Sequence, residues 1–278
     1  MVEFTYWRTP EGKRGSDAPV AAPRKPRRDR QLEQAIARDT ISVRFQPQIE
    51  PDSGRVVGVE ALARWDGGTG PQELFARAVR HGLQERLSRT VQRRALRQVG
   101  QWRGGLAHLR LSINLIAEDL MRDGYVEWLL AEIADAGLKP SRITVEITES
   151  SLIADPATAA ARLATLRAAG VQIAIDDFGT GYSNLAYLSA LPLDSLKIDR
   201  AMIADLVGGS RDRIVVRAMI RLARELSLKV VVEGVESTAQ LGLLASWGCD
   251  LYQGFLGAGA LDEEELARFV NATVAQAA

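Results

Sequence analysis

The sequence is poor in the residues on which several kinds of chemistry depend. Its 278 residues include one cysteine, Cys249, and two histidines, His81 and His108. A single cysteine excludes an internal disulfide and any cysteine-rich zinc module, and it fits a reducing compartment. The two histidines form no HExxH-type pair, so the ligands of the usual zinc site are missing. Both read as structural or surface residues, one at a helix end and one at a strand entrance. Net charge is lacking too, because thirty-five basic side chains face thirty-five acidic ones. The averaged field then gives no reason to expect binding to double-stranded nucleic acid or to an anionic membrane. No stretch approaches the roughly 20 apolar residues of a transmembrane segment. The opening MVEFTYWRTPEGKRG lacks the apolar core of a signal peptide. The expectation is a cytoplasmic protein. The glycines of GTGYSN come without the lysine and spacing of a phosphate-binding loop, and no Ser/His/Asp triad is forced.

What is present is ordinary globular material, 46% hydrophobic and 25% charged, which excludes disorder across the whole chain. The charge is uneven at the start. Residues 1 to 30 hold eight Lys/Arg, four Asp/Glu and four of the ten prolines, a composition that favours a flexible, extended basic tail. From about residue 31 to 278, short β-rich runs alternate with helical ones. Strands are expected at 42–49, 55–65, 109–116, 143–149, 171–178, 194–199, 229–235 and 251–256. Helices are expected at 71–82, 118–137, 156–170, 211–227 and 237–248, several ending at a glycine suited to the left-handed cap. Eight strands close a small barrel, so the expected fold class is α/β, a single-domain (β/α)8 barrel.

Strand alternation gives the sharpest expectation. In ITVEITE, Ile143, Val145 and Ile147 share one face, while Thr144, Glu146 and Thr148 share the other. The same split sets Asn114 opposite Ile113 and Leu115, Asp176 opposite Ile175, Lys197 opposite Leu196 and Ile198, and Glu233 opposite Val232. Five strands thus send a polar group inward near their C-terminal ends. Converging buried carboxylates need a metal, a cation or protonation to persist. Together with Glu60, the residues Asn114, Glu146, Asp176, Asp177 and Glu233 form an oxygen-rich set suited to Mg2+ or Mn2+. Arg89, Arg93 and Arg97 recur along one helical face opposite Leu87, Val91 and Ala95, which reads as a solvated face. Asp199 reads as a partner for Arg200 or Lys197, and Trp65 and Tyr182 as packing residues.

An ordered series of motifs then carries a resemblance. QPQI at 46–49, Glu60-Ala61-Leu62 within VEALARW, SINL around Asn114, VEITES at 145–150, DDFGTGYSNL at 176–185, LKIDR at 196–200, VEGVES at 232–237 and QGF at 253–255 resemble the EAL-domain family of cyclic di-GMP phosphodiesterases. The similarity covers the chain from about residue 31 onward. It implies a modified TIM-type barrel in which one strand runs antiparallel. It also implies hydrolysis of cyclic di-GMP to linear 5'-pGpG with two Mg2+ or Mn2+ ions activating water.

By the same resemblance Glu60, Asn114, Glu146 and Asp176 would ligate the first ion, Asp176 and Asp177 the second, with Glu233 as a further ligand or neighbouring carboxylate. Lys197 would orient the water, and Gln253 would add a hydrogen bond. Gln46, Leu62 and Arg64 would meet the dinucleotide, Glu236 its guanine edge, and Glu149 would hold the DDFGTGYSNL loop, which leads to a homodimer surface. Ala260, Ile116 and Val79 depart from the family pattern, at none of the metal positions. No GGDEF-like cyclase stretch is found. The alternative is a catalytically silent cyclic di-GMP receptor that signals through a partner.

Overall fold

A computed structural model describes residues 28–67, 70–148, 155–179, 188, 190–209 and 211–277. Its centre is a closed barrel of eight strands in chain order: β1 Ser42–Ile49, β2 Val56–Arg64, β3 Arg110–Leu115, β4 Ile143–Thr148, β5 Gln172–Phe178, β6 Ser195–Ile198, β7 Lys229–Val232 and β8 Leu251–Tyr252. Strands β2 to β8 pair in parallel. β1 is antiparallel to both β2 and β8, so β1 is the reversed strand of the modified barrel. β1 and β2 are joined by the short turn around Gly54 (φ +67°), and a connection that short allows only an antiparallel return.

Around the barrel lie α1 Arg30–Ala37, α2 Pro71–His81, α3 Gln84–Gln101, α4 Ala117–Leu120, α5 Tyr125–Asp135, α6 Pro156–Ala168, α7 Arg200–Ile203, α8 Arg211–Glu225, α9 Thr238–Trp247 and α10 Glu263–Ala277. Asp29 caps α1 by accepting from Leu32 N at 3.1 Å and pairs with Arg77 of α2. The alternation of the strands becomes two environments. Leu111, Ile113, Leu115, Ile143, Val145, Ile147, Ile173, Ile175, Leu196, Ile198, Val230 and Val232 are all buried in the layer between barrel and helices, as an outward strand face in such a barrel must be.

Four expectations are corrected here. The single helix over 118–137 is two, α4 and α5, because Gly124 takes φ +74° between them. The strands expected to reach 235 and 256 stop at Val232 and Tyr252. At Gly234 (φ +66°) a Cβ would lie 2.3 Å from Arg200 Cβ, and at Gly254 one would lie 2.3 Å from the Val235 backbone. The chain turns where only glycine fits. The arginine face of α3 is not simply solvated, since Arg89 and Arg93 lie over the Trp128 ring of α5 and Arg93 pairs with Glu132. Asp199 partners neither Arg200 nor Lys197 but caps α7, accepting from Ala201 N at 2.8 Å. Trp65 packs under Arg77, and Tyr182 lies outside the described residues.

Candidate active site

The strand register delivers the inward polar groups to one level. Asn114 pairs with Glu146 across β3 and β4, Glu60 pairs with Gln46 on one side and Ser112 on the other, and Thr148 pairs with Asp176. Between Ile175 and Phe178 the β5–β6 pairing shifts, and Asp177 takes φ +55°. A bulge of this kind re-aims side chains. It lets two consecutive aspartates, which strict alternation would send to opposite faces, serve the same end of the barrel.

Lys197, 1% exposed, stands at the focus. Its ammonium lies 2.7 Å from Glu146 Oε2, 2.7 Å from Glu233 Oε1, 3.2 Å from Asp176 Oδ1 and 3.3 Å from Glu60 Oε2. Gln253 Nε2 donates to Glu60 Oε2 at 2.8 Å and to Glu233 Oε1 at 3.1 Å. Asn114 Nδ2 donates to Glu60 Oε1 at 2.9 Å, and the backbone carbonyl oxygen of Asn114 accepts from Gln92 Nε2 at 2.9 Å. Asp176 Oδ1 accepts from the Asp177 backbone N–H at 2.9 Å.

The electrostatics follow from burying several acids around one base. Burial raises the pKa of Glu146 far above the usual range and that of Asp176 less so, with Lys197 opposing in both cases. Burial pushes Glu233 up to about 8. In Asp177 burial and the neighbouring Asp176 charge act in the same upward direction. Glu60 differs: burial pushes it up, but Lys197 and the amides of Gln253 and Asn114 outweigh burial and hold it low. Lys197 is disfavoured by burial yet held protonated by the surrounding carboxylates.

This donor set suits a hard divalent cation in type and in charge, since carboxylate and amide oxygens outnumber the single ammonium. The carboxylates meet on Lys197. Among the described residues no three His, Cys, Asp or Glu side chains already form a metal cage. The oxygens would have to turn part-way from the ammonium to share an ion.

The other expected site residues sit farther from this focus. Gln46 Nε2 donates to Ala258 O at 3.4 Å, Leu62 is half-buried, and Arg64 donates to the neighbouring Ala63 O at 2.9 Å. Glu236 is exposed at the start of α9, where its backbone N–H donates to Gln240. Glu149 and residues 180–185 of DDFGTGYSNL lie outside the described residues. Strand alternation sets Ser112 on the inward face beside Asn114 but gives it no role, and Gln48 and Gln92 are not singled out by it. Gln48 stands two residues from Gln46 on the same face of β1 and was visible to the alternation rule. Gln92 is on a helix, where nothing in the sequence links it to Asn114.

The model of the EAL domain family matches residues 29–260. The chain belongs to the EAL domain family. It is 37% identical over 258 residues to cyclic di-GMP phosphodiesterase NbdA of Pseudomonas aeruginosa, covering 91% of this chain and 33% of NbdA. The chain thus spans about a third of the length of that relative. Among solved structures it resembles the MucR phosphodiesterase of P. aeruginosa in complex with cyclic di-GMP, with TM-score 0.80 and 38% identity, covering 85% of this chain and 98% of that one. It also resembles Klebsiella pneumoniae BlrP1 in a manganese and cyclic di-GMP complex, with TM-score 0.73 and 31% identity, covering 88% of this chain and 58% of that one. Among the described residues no helix is long and apolar enough to cross a membrane.

Proposed function

We propose that this chain is a divalent-metal-dependent phosphodiesterase that hydrolyses cyclic di-GMP to linear 5'-pGpG in the cytoplasm. The observation that carries the reading is the convergence of Glu60, Glu146, Asp176 and Glu233 on one buried lysine at 2.7 to 3.3 Å within an EAL barrel. So much buried acid is unfavourable unless it has a cationic partner to hold.

Glu60, Asn114, Glu146 and Asp176, with Asp177 and Glu233, would hold two Mg2+ or Mn2+ ions. When bound, the ions lower the pKa of water and offset charge on the phosphate. Lys197 keeps its proton and presents fixed N–H donors to the attacking water and to the charge that grows on the phosphate oxygens. Water oxygen bonds to phosphorus, the bond from phosphorus to the ribose 3' oxygen breaks, and that oxygen takes up a proton, so one ester is cut. Gln253 holds Glu60 and Glu233 in place with its amide hydrogens. Arg64 offers a planar fork to a phosphate, with Gln46 and Leu62 beside the dinucleotide, Glu236 at the guanine edge and Glu149 steadying the loop. A homodimer through the DDFGTGYSNL segment belongs to the same reading, supported by the motif resemblance and checked by sedimentation.

The deciding experiment incubates purified protein with cyclic di-GMP and Mg2+ or Mn2+, resolves products by chromatography, and repeats this with Ca2+ and with Glu60→Ala. The expected result is a linear dinucleotide that requires Mg2+ or Mn2+ and Glu60. Binding of cyclic di-GMP with no turnover under either metal would overturn the enzyme reading in favour of a receptor.

A further inference from the structure

We infer that Gln48, a residue with no role in the reading above, is a positioning residue that fixes the amide of Gln253 and through it the two carboxylates Gln253 holds. The inference rests on the phosphodiesterase reading for its kinetic consequence, but its geometry stands alone.

The reversed direction of β1 makes it possible. Arg44, Gln46 and Gln48 share the inward face of this strand, and because β1 runs against its neighbours, each step along it goes deeper into the barrel. Gln46 is half-buried, whereas Gln48 is 6% exposed. There it adjoins a polar cavity of about 220 Å3 below the charged cluster, whose walls include Ser112, Thr144, Glu146 and Lys197. The cross-strand partner of Gln48 is Gly58, where a Cβ would stand 2.9 Å from Gln48 Oε1. A side chain at that position would crowd the glutamine, so glycine keeps its seat open.

The amide logic then runs in one direction. In front of Gln253 stand Glu60 Oε2 and Glu233 Oε1, 2.8 and 3.1 Å from its Nε2, and Glu60 accepts from Asn114 and Lys197 as well, so Gln253 presents its NH2 to them. Its carbonyl oxygen therefore faces back into the barrel, where Gln48 Nε2 lies 3.4 Å away and also 3.4 Å from Ser112 Oγ. The backbone of Gln253 is tied to Val232 O and Val235 N, so the strand is fixed, while the side-chain rotation depends on what meets the amide. Without a donor at position 48, Gln253 can turn its carbonyl oxygen toward two carboxylates. That loosens the orientation of Glu60, a residue assigned here to the metal. Partners one step removed from a metal commonly matter at the level of 10- to 100-fold in affinity or activity.

Three variants test this in the full chain. Gln48→Leu removes the donor at similar volume, Gln48→Glu replaces it with acceptors, and Gln48→Lys keeps an N–H donor. The expected order of kcat is wild type, then Lys, then Leu about 10-fold below wild type, then Glu about 100-fold below. The Mn2+ concentration for half-maximal activity rises in the same order, while KM for cyclic di-GMP and the melting temperature stay near wild type. The second readout uses no substrate: the side-chain NH2 resonances of Gln253 in 15N-labelled, metal-free protein shift in Gln48→Leu and Gln48→Glu, and Mn2+ alone binds more weakly by calorimetry. Wild-type kcat and metal requirement in Gln48→Leu, unmoved Gln253 resonances, or losses that follow melting temperature alone would overturn the inference. If wild-type protein binds cyclic di-GMP without cutting it, the phosphodiesterase reading fails by itself, and the resonances and Mn2+ titration still decide the role of Gln48.

Discussion

The two faces of the same barrel strands obey opposite energetics. On the outward face of β4, Ile143, Val145 and Ile147 are fully buried against helices, each contributing about 1.5 to 3 kcal/mol through removal from water. One residue away, the inward Glu146 is 2% exposed and would be strongly unfavourable without Lys197 at 2.7 Å. The outward face tolerates aliphatic exchange at modest cost, since volume and apolarity are what it requires. The inward face depends on particular charges and donors in particular places. Because the side-chain period is two, a one-residue slip would exchange the two faces, so the apolar layer that stabilises the barrel also holds the register of the charged cluster. Stability is supplied from one side of each strand, and chemistry is placed on the other.

Removing the central cation should break this comparison most severely. Lys197→Met leaves the acids facing one another, and the metal-free variant is expected to lose about 3 to 5 kcal/mol in urea denaturation at pH 7, with Mn2+ recovering part of the loss. An unchanged midpoint with and without Mn2+ would show that the lysine does not hold the cluster together. The wild type carries a matching pH signature. Glu146, Asp176 and Glu233 have raised pKa values, Glu233 to about 8. The folded state therefore keeps protons that the unfolded chain has released, and metal-free stability falls as pH rises from about 4.5 toward 8. Glu60, held low, works the other way and loses its contribution as pH falls. On the outward face, Leu111→Ala should cost about 2 to 5 kcal/mol through the cavity it leaves. That loss should be flat with pH and indifferent to Mn2+. A Leu111→Ala effect that varied with Mn2+ would show that the two faces are coupled.

The sequence carried much of this arrangement because alternation needs no tertiary information. Asn114, Glu146, Asp176, Lys197 and Glu233 could be assigned to inward faces from their apolar neighbours, and the order of motifs identified the family. Other features depend on contacts the pattern does not hold. The left-handed Asp177 and the bulge around it follow from the β5–β6 register, which the run VQIAIDDF does not encode. The strand ends at Val232 and Tyr252 follow from how closely Arg200 and Val235 approach two glycines, a matter of packing between distant segments. That one strand is reversed came from resemblance, and that it is β1 comes from its antiparallel pairing with β2 and β8, because hydrophobic alternation reads the same in either direction. The depth of Gln48 depends on that direction.

A smaller test concerns a buried acid outside the cluster, where no lysine was provided. Asp119 in α4 is fully buried, and neither carboxylate oxygen has a hydrogen-bond partner of ordinary geometry, although the Ser88 hydroxyl and the Arg122 and Arg89 charges lie nearby. Burial outweighs these neighbours and raises its pKa above the ordinary 3.8. A raised acid binds its proton more tightly folded than unfolded, so its ionisation works against folding: the penalty is absent below about 3.8 and grows as pH climbs through the folded value. Asp119→Asn keeps the shape and removes the ionisation, and should stabilise the protein by about 1 to 2 kcal/mol at pH 7. The gain should shrink toward zero as the denaturation is repeated at pH values approaching 4. A gain that instead grew with acidity, or a loss at pH 7, would mean that Asp119 is held by its neighbours as Glu60 is, and that the helix layer, too, contains an organised charge.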